Sequence, residues 1–392
     1  MGNTPNIRFK GFTDDWEQRK LMEVAEYRNG KAHENEINDD GEYIVVNSKF
    51  VSTNGEIRKF SYAQNEPLYE NEIAFVLSDV PNGRAIARTF LVDKSGKYTL
   101  NQRIAGITPH EDTDPYYLYI KMNRNEYFLK FDDGNKQTNL SIKDVLNYED
   151  MYPSYKEQQK IGMYFQQLDH LITLHQRKCD ETKKLKKFML QKMFPKKDAK
   201  KPEIRFAGFT NDWEQRKFAN ITMRESTVGV SSSTYPSVEY EDVIAGEGRL
   251  NKDIKYKEQQ KTGIVFNGTQ ILYGKLRPYL HNWLNPDFSG IAVGDWWVLK
   301  PVETDKSFIY RLIQTQQFDD VANQSAGSKM PRADWNLVSN TEFRIPKTSE
   351  EQMAIGTYFS NLDHLITLHQ RKCDELKEFK KYMLQNMFPQ KG

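Results

Sequence analysis

"LDHLITLHQRKCDE" occupies residues 168–181, and the same fourteen residues return without a change at residues 362–375. An identical stretch of this length does not arise twice by chance in one chain, so it indicates a duplication. The repeat extends beyond these residues, because residues 157–195 match residues 351–389 at 29 of 39 positions.

A second block repeats near the start of each half. "IRFKGFTDDWEQRK" at residues 7–20 returns as "IRFAGFTNDWEQRK" at residues 204–217. Each half therefore holds the same elements in the same order. A period of nearly two hundred residues is too long for a solenoid and indicates duplication of a whole domain with the segment that follows it.

The block from residue 157 predicts one long helix. Residues 163–194 contain neither Gly nor Pro, and apolar residues recur at three-to-four spacing. Pro153 and Ser154 are start signals and Pro195 is a stop signal. About 35 residues form a rod about 50 Å long, whose narrow apolar stripe needs a partner. The second copy of the helix is the natural partner, so we expect a coiled coil.

The two helices are expected to be antiparallel. Duplicated units usually associate about a two-fold axis, and an antiparallel pair would carry one globular domain to each end of the rod. A parallel pair would leave the two domains side by side.

Residues 21–150 and 218–345, between the repeated blocks, differ strongly from each other. Both mix strands, as in "NEIAFVLSDV", "TQILYGKLRPYL" and "SGIAVGDWWVLKP", with helices, as in "PYYLYIKMNRNEYFLKF" and "SFIYRLIQTQQFDDVANQ". Asn54–Gly55 predicts a hairpin. We therefore predict an α+β fold with two mixed α/β domains, separated by two long antiparallel coiled-coil helices and related as a pseudo-two-fold internal repeat. The predicted segments are residues 1–150, the first helix at 151–195, residues 196–346, and the second helix at 347–392.

Composition limits the classes of protein. Apolar residues make up 38% and charged residues 28% of the chain, as in folded proteins. No apolar run approaches the ~18 residues of a membrane span, and the first residues lack the apolar core of a signal peptide. Cys179 and Cys373 are equivalent members of the repeat, so a disulfide framework is not expected and a cytoplasmic location is. Because the net charge is only +2, binding to nucleic acid has to depend on local patches.

Polar loops in the variable segments carry side chains that can hydrogen-bond base edges or stack on them. In the first half these candidate residues are Asn47, Lys49, Asn82, Arg84, Asn101, Gln102, Arg103, Lys136, Gln137 and Asn139. In the second half they are Tyr273, Lys275, Arg277, Tyr279, His281, Asn282, Trp283, Lys329 and Arg332. Each loop by itself is also compatible with an ordinary amphipathic strand edge, but matched sets in matched positions favour base recognition.

Enzyme motifs come close and fail. "NPDF" at residues 285–288 has Asp287 where the Asn-Pro-Pro-Phe motif of amino-methyltransferases has its second Pro. Gly274–Lys275 is followed by Leu276, so a phosphate-binding P-loop is excluded. A self-contained DNA-modifying enzyme remains an alternative, and so does a coiled-coil scaffold that binds only proteins.

Two further patterns leave alternatives open. His175, Cys179, His369 and Cys373 could form a zinc site between antiparallel helices, but the histidines are more simply polar core positions that fix the register, and no metal site is predicted. Residues 183–201 contain nine lysines and one aspartate, which indicates either a solvated helix end and linker or a segment that contacts DNA phosphates.

Together these features resemble the specificity subunit of type I restriction-modification systems, over essentially the whole chain. The resemblance rests on the repeated "GFT(D/N)DWEQRK" block, the "EQQKIG" and "EEQMAIG" helix starts and the two dissimilar domains before them. "YGKLRPYL", "GIAVGDWWVLKP" and "GSKMPR" look like one type of target-recognition domain, and "VLSDVPNGRAIA" with "YTLNQR" looks like another.

The resemblance implies a non-catalytic subunit that binds no cofactor itself. Each variable domain would read half of a split DNA target through the major groove, and the helices would set the spacing between the halves. Two modification subunits would dock on the helices and methylate adenine N6 with S-adenosylmethionine, and two restriction subunits would add ATP- and Mg-dependent translocation and cleavage. Because the readers differ, the target should be asymmetric. The expected partner-binding residues are Leu168, Leu171, His175, Leu362, Leu365 and His369.

Overall fold

A computed structural model describes residues 4–33, 35–196, 198–255, 257, 260–324 and 330–389. The chain divides into two compact units. The first contains residues 1–174 and 372–392, and the second contains residues 175–371. No helix of the described residues is long and apolar enough to cross a membrane.

The described residues of the first half form eleven strands and begin the first long helix. The strands are β1 (Glu17–Lys20), β2 (Ala25–Asn29), β3 (Tyr43–Val46), β4 (Phe60–Ser61), β5 (Ile73–Val76), β6 (Ser78–Asp79), β7 (Thr89–Leu91), β8 (Tyr98–Leu100), β9 (Ile104–Pro109), β10 (Thr138–Asn139) and β11 (Glu149–Tyr152). The helices are α1 (Ser48–Ser52), α2 (Pro115–Met122), α3 (Glu126–Leu129), α4 (Ile142–Leu146) and α5 (Tyr155–Lys192), with a 3₁₀ turn at Leu21–Glu23.

The second half also combines short strands and helices before a long helix, but its strands and helices differ in length from those of the first half. Its strands are β12 (Glu214–Lys217), β13 (Thr222–Glu225), β14 (Val228–Val230), β15 (Ser237–Val238), β16 (Val243–Ile244), β17 (Arg249–Leu250), β18 (Thr262–Asn267), β19 (Ile271–Gly274), β20 (Trp283–Leu284), β21 (Ser289–Ala292), β22 (Trp296–Pro301) and β23 (Glu342–Ile345). Its helices are α6 (Phe218–Ile221), α7 (Lys306–Leu312), α8 (Gln316–Ala322), α9 (Trp335–Asn340) and α10 (Ser349–Asn386), with 3₁₀ turns at Tyr240–Asp242 and Pro278–Leu280.

In the described residues, the variable domain of the first unit has two larger sheets beside the short β6–β10 pair. One is antiparallel in the order β2-β9-β5-β7, and the other has the order β4-β3-β8 with β3 and β8 parallel. Side chains alternate on β5: Ile73 and Phe75 join the core against α2 and α5, whereas Ala74 and Val76 face the second sheet. The four-stranded sheet is therefore buried on both faces.

The variable domain of the second unit follows the same principle with other strands. Its sheets have the orders β13-β22-β19-β20 and β14-β18-β21-β15. On β19, Ile271 and Tyr273 lie in the core against the long helices, and Leu272 lies in the core between the sheets. The predicted α+β class with two mixed domains is confirmed.

The repeated blocks form the same frame in both units, which we call the shared frame (residues 7–20 with 149–165, and 204–217 with 342–359). Strand β1 pairs with β11, and β12 pairs in the same antiparallel way with β23. Arg8 donates to both carboxylate oxygens of Glu157 at 2.7 and 2.8 Å, and Arg205 donates to those of Glu351 at 2.6 and 2.7 Å. Each bidentate pair joins the opening block of the repeat to the start of a long helix.

A repeated glycine explains how each variable domain sits on its helix. A Cβ at Gly162 would lie 2.4 Å from Oδ1 of Asp114, and one at Gly356 would lie 2.5 Å from Cβ of Ser307. Asp114 is the N-cap of α2 and accepts from the backbone N–H of Tyr117 at 2.8 Å. The start of α2 or α7 thus packs directly on the backbone of the long helix, where no larger residue fits.

Within the first unit, α5 and α10 pack antiparallel. Asp169 accepts from the Nζ of Lys380 at 2.6 Å, and the Sγ of Cys373 lies 3.9 Å from the carbonyl oxygen of Ile172. Rising numbers on α5 therefore face falling numbers on α10. The buried Cys373 acts as a small core residue of the helix pair.

Within the second unit the equivalent residues make equivalent contacts. Lys186 pairs with Asp363 at 2.7 Å, and the Sγ of Cys179 lies 3.8 Å from the carbonyl oxygen of Ile366. This order is again antiparallel. The predicted antiparallel pairing of the long helices is therefore confirmed within each unit.

His175 and His369, which are equivalent in the repeat, contact each other with Nδ1 atoms 3.1 Å apart. Within the second unit, this contact fixes which turn of α5 faces which turn of α10. Among the described residues there is no group of three or more His, Cys, Asp or Glu side chains placed to hold a metal ion. The contact between the two imidazoles is compatible with polar core positions that fix the register.

Part of the lysine-dense segment forms ion pairs. Lys196 pairs with Glu203 at 2.6 Å, Lys192 shares that carboxylate, and Lys183 lies 3.6 Å from Glu247. Lys197 lies outside the described residues. These ion pairs favour the interpretation as a helix end and linker over a segment that contacts DNA phosphates.

Candidate nucleic-acid interface

Three loops of the first unit meet beside β6. The backbone N–H of Leu77 donates to the carbonyl of Arg103 at 3.0 Å, and that of Leu140 donates to the carbonyl of Leu77 at 2.8 Å. Strand β10 then pairs with β6 through Thr138 and Asp79. Residues that are far apart in sequence, around positions 82, 102 and 137, therefore lie at one edge of the domain.

Most of the candidate side chains of this edge are exposed. The exposed ones are Lys49, Asn82, Arg84, Gln102, Arg103, Lys136, Gln137 and Asn139. Asn82 donates to the carbonyl of Gly134 at 3.1 Å, and Gln137 donates to the hydroxyl of Ser78 at 2.8 Å. These hydrogen bonds join two of the predicted loops, so they present one polar surface.

Two predicted asparagines have local structural roles. The Oδ1 of Asn47 accepts from the backbone N–H of Phe50 at 2.9 Å and so caps α1. Asn101 is half-buried, and its backbone N–H donates to the carbonyl of Val46 at 3.1 Å. This contact brings Asn47 beside Asn101, although their side chains are less available than those of Gln102 and Arg103.

A cluster of arginines beside this edge escaped the sequence analysis. Arg88 and Arg124 both donate to the carbonyl oxygen of Arg84, at 2.7 and 3.0 Å. Burial lowers the pKa of Arg88, and the neighbouring charge of Arg124 lowers it further. In the described part of the chain, no carboxylate forms an ion pair with any of the three. The spacing of Arg84 and Arg88 was visible in the sequence, but the approach of Arg124 required the fold.

The second unit presents a corresponding pair of loops. The backbone N–H of Arg277 donates to the carbonyl of Pro331, and that of Ala333 donates to the carbonyl of Lys275, both at 2.8 Å. Residues 275–280 and 330–333 therefore form one surface. Lys329, which was also predicted for it, lies outside the described residues.

Asp295 organises the basic side chains of this surface. It lies 3.2 Å from Arg332 and 3.5 Å from Lys275. Partial burial raises the pKa of Asp295, but the hydrogen bonds and charges of Arg332 and Lys275 outweigh it and hold that pKa below its usual range. One carboxylate between two cations leaves the surface with a net positive charge.

Backbone strain exposes the tip of the loop. Arg277 and His281 have φ values of 48° and 55°, in the left-handed region that non-glycine residues rarely adopt. They enclose the 3₁₀ turn at Pro278–Leu280, where Tyr279 is 53% exposed. The strain thus presents Arg277 and Tyr279 to solvent at an otherwise packed domain edge.

Other predicted residues of the same stretch are buried. Tyr273 is 2% exposed and stacks on Trp297 with ring centroids 5.5 Å apart, and Asn282 and Trp283 are also buried. The alternation of β19 places Tyr273 on the core side, and Trp283 pairs opposite it on β20. His281 is half-buried, lies 3.0 Å from Asp319 and stacks on Trp283. These four side chains do not form an exposed reading surface in this structure.

The four leucines among the predicted partner-binding residues separate into two groups, whereas His175 and His369 contact each other. Leu168 and Leu362 are each 6% exposed and belong to the cores of their units, so they hold the variable domains instead of presenting a docking surface. Leu171 and Leu365, the next leucines of the repeat, are 40% and 42% exposed. Each unit thus leaves an equivalent apolar residue open on its helices.

Two different α/β domains on two copies of one helical frame define a protein with a constant scaffold and two distinct surfaces for recognition. The sequence pattern of the type I restriction modification DNA specificity domain matches residues 13–184 and again residues 211–378. The chain belongs to this family, and it is a specificity subunit that functions in DNA sequence recognition.

Relatives support this assignment over the whole chain. The MjaVIII specificity subunit of a type I restriction enzyme from Methanocaldococcus jannaschii is 22% identical over 403 residues, which cover 95% of this chain and 91% of the relative. The crystal structure of the type I restriction-modification S subunit from M. genitalium shares the fold with a TM-score of 0.69 and 14% identity, covering 99% of this chain and 100% of that one. Specificity subunits of these systems are non-catalytic, and the chain is a non-catalytic component in the same sense.

Proposed function

We propose that each variable domain reads one half of a bipartite DNA target through the major groove of double-stranded DNA. The observation that carries this proposal is the contrast between the shared frames and the variable domains. Both shared frames contain the same antiparallel strand pair and the same Arg–Glu ion pair. The variable domains differ in their sheets and in their exposed loops. Two different variable domains on equivalent shared frames specify a DNA target whose two halves differ in sequence. The target is therefore asymmetric.

The reading surfaces are the polar edge of the first unit and the loop pair at residues 275–280 and 330–333 of the second. Arg103 and Arg277 are exposed, and among the described residues neither forms an ion pair with a carboxylate. A guanidinium that is not committed to an internal carboxylate can donate two hydrogen bonds to guanine O6 and N7. The cluster of Arg84, Arg88 and Arg124 supplies positive charge for the phosphates beside the first edge.

Replacing one of these arginines by alanine tests the assignment. Each of Arg103→Ala and Arg277→Ala should weaken binding by about 1–3 kcal/mol and relax the sequence preference in one half-site only. The measurement is the affinity of the assembled modification complex for a set of duplexes with single base changes. Lys10→Ala and Lys217→Ala, which alter exposed residues of the shared frame, serve as controls. A variant that reads both half-sites as before would show that its arginine does not contact bases.

The helices are proposed to act as the ruler between the half-sites. Inserting seven residues after His175 and seven after His369 adds two turns to both helices at facing positions, about 10.5 Å. The tolerated gap between half-sites should increase by about 3 bp, because base pairs are spaced 3.4 Å apart. Selection of bound duplexes from a library with variable gaps measures this change. An unaltered preferred gap would refute the ruler.

The same helices are proposed to dock two modification subunits, and two restriction subunits through them. Leu171 with Phe379 in the first unit corresponds to Leu365 with Leu185 in the second, and all four are exposed. Equivalent apolar surfaces suit two copies of one partner. S-adenosylmethionine, ATP and Mg would then be bound by these partners.

We place the assembly in the cytoplasm, where it meets cellular DNA. Residues 1–150 and 196–346 remain the proposed segments that contain the two DNA-reading domains.

A further inference from the structure

The second unit contains a cavity of about 840 Å³ that DNA reading does not explain. Its walls come from the second-unit part of α5, the facing part of α10, the loop at residues 245–249 and the helices α7 and α8. We call it the second-unit cavity. Its volume is in the range of sites that hold drug-sized ligands.

Three residues that line this cavity each carry a buried polar atom without a partner in the described structure. Arg311 is 2% exposed, and although its terminal nitrogens contact Asp363 and Ser360, its Nε has no acceptor in the described structure. Trp283 is 8% exposed, and its Nε1 has no acceptor either. The Oδ1 of Asn285 likewise has no donor. Two donors and an acceptor left unpaired in one cavity indicate a ligand with matching groups.

The charge of the walls indicates the sign of that ligand. Asp363 lies 2.7 Å from Lys186 and 2.7 Å from Arg311, so one carboxylate serves two cations. Burial lowers the pKa of Lys186, and the neighbouring charge of Arg311 lowers it further, despite the opposing effect of Asp363.

A second carboxylate repeats this arrangement across the cavity. Glu247 lies 2.6 Å from Arg249 and 3.6 Å from Lys183. The carboxylate of Asp319 lies 3.0 Å from the imidazole of His281. Lys187 is a further cation in the cavity wall. The lysines and arginines of the walls exceed the carboxylates, and the surplus suits a dianion such as a phosphate monoester.

The aromatic wall indicates the rest of the ligand. The rings of His281 and Trp283 are stacked with centroids 5.1 Å apart and an interplanar angle of 24°. This stack stands beside the unpaired Nε1 of Trp283 and Oδ1 of Asn285. A planar heterocycle with one acceptor and one donor on its edge would satisfy both groups.

We propose that the second-unit cavity binds a free nucleotide, an organic phosphate that carries a planar heterocycle. The phosphate binds among Lys183, Lys186 and Arg311, and the heterocycle binds at Trp283 and Asn285. This site is independent of the proposed reading of DNA, because Arg277 and Tyr279 present a different set of side chains.

The experiment is calorimetric titration of the full chain with AMP, GMP, CMP and UMP, with adenosine and inorganic phosphate as comparison ligands. At least one monophosphate should bind once per chain with a Kd below about 1 mM. The nucleoside and the phosphate should each bind at least about tenfold more weakly. Binding of phosphate alone with equal affinity would reveal an ion site only and overturn the proposal, as would no binding by any monophosphate.

Matched variants locate the site. Lys183→Gln and Trp283→Phe should each lower the affinity about tenfold, because a charged or buried hydrogen bond is lost. Lys184→Gln removes the same charge from the adjacent residue, which does not line the cavity, and should leave the affinity unchanged. If the lysine variants behave alike, the nucleotide binds elsewhere.

A competition experiment separates a free nucleotide from DNA. Target duplex and single-stranded oligonucleotide are titrated against the nucleotide-loaded chain. Retention of the nucleotide supports the proposal. Displacement by either DNA would assign the cavity to a nucleotide of DNA and overturn the free-ligand site, while DNA binding itself would still be measured.

Discussion

A chain that carries residues 21–152 in both positions is expected to specify an inverted repeat of one half-site. In this chimera residues 218–345 are replaced by a second copy of residues 21–152. Under the proposed function, two copies of one reading domain recognise two copies of the same half-site in opposite orientation. Methylation mapping of DNA from cells that express the chimera with its modification partners would show a palindromic bipartite motif in place of an asymmetric one.

The structure gives a reason why the first domain should fit the second position. Its junctions fall at the ends of the strands that form the equivalent ladders β1–β11 and β12–β23. In its own unit the domain contacts α5 through Tyr116, which donates to Asp169 at 2.7 Å, and through Asp114, which packs against Gly162. Asp363 and Gly356 would offer the same partners in the second unit.

The reciprocal chimera, with residues 218–345 in both positions, is the matched control. It should specify an inverted repeat of the other half-site. If either chimera retained the original asymmetric motif, the variable domains would not be the readers. If one chimera neither assembles with its partners nor supports methylation, the other chimera still provides the test.

Glu351→Ala is expected to destabilise the second unit by about 3–5 kcal/mol, the usual cost of breaking a buried ion pair by removing one partner. Glu351 is 2% exposed and accepts from Arg205 at 2.6 and 2.7 Å and from the Nε1 of Trp213 at 3.0 Å. Its removal leaves a half-desolvated guanidinium and a buried indole N–H without an acceptor. Because Arg205 and Trp213 belong to the opening block, that block would separate from its helix.

Glu350→Ala is the control for this prediction. Glu350 precedes Glu351 in the first turn of α10 but is exposed, so its loss should cost less than about 1 kcal/mol. Urea unfolding with hydrogen exchange resolved by peptide measures both variants and assigns the loss to the second unit. Equal effects of the two substitutions would contradict a central role for the Arg–Glu pair.

The constant part of the fold was predictable because duplication reveals it within a single sequence. Fourteen identical residues in two places show where the helices lie, and the stop signal at Pro195 limits the first of them. The function of the repeated Glu157 and Glu351 was not predictable. Their arginine partners lie 149 and 146 residues away, and nothing local indicates that they meet.

The variable domains were predicted in class but not in detail. "PYYLYIKMNRNEYFLKF" forms two helices because Asn125 caps the second, and Arg124 before it has a φ of 52°. Likewise Thr315 caps α8 and divides the other predicted helix. Asn54–Gly55 does not close a tight hairpin, since α1 lies between the paired strands β3 and β4. Side-chain caps that compete with continuation of the helix decide these boundaries. The spacing of apolar residues does not reveal such caps.

The alternation of side chains along the strands decided which candidate DNA-reading residues are exposed and which are buried. Tyr273 and Trp283 were selected as aromatic neighbours of basic residues, but their positions on paired strands direct them into the core. Arg277 and Tyr279 remained available because they follow the strand in a strained turn. Residue type predicted the region, and only the register of the sheet could show which side chains of the region are exposed.

The measurement that tests the account most directly is methylome sequencing of the host with and without this chain. The account predicts one asymmetric bipartite N6-methyladenine motif, with two specific parts separated by a fixed gap, that disappears when the chain is deleted. A methylome that does not change on deletion, or one that loses a contiguous or palindromic motif, would contradict it.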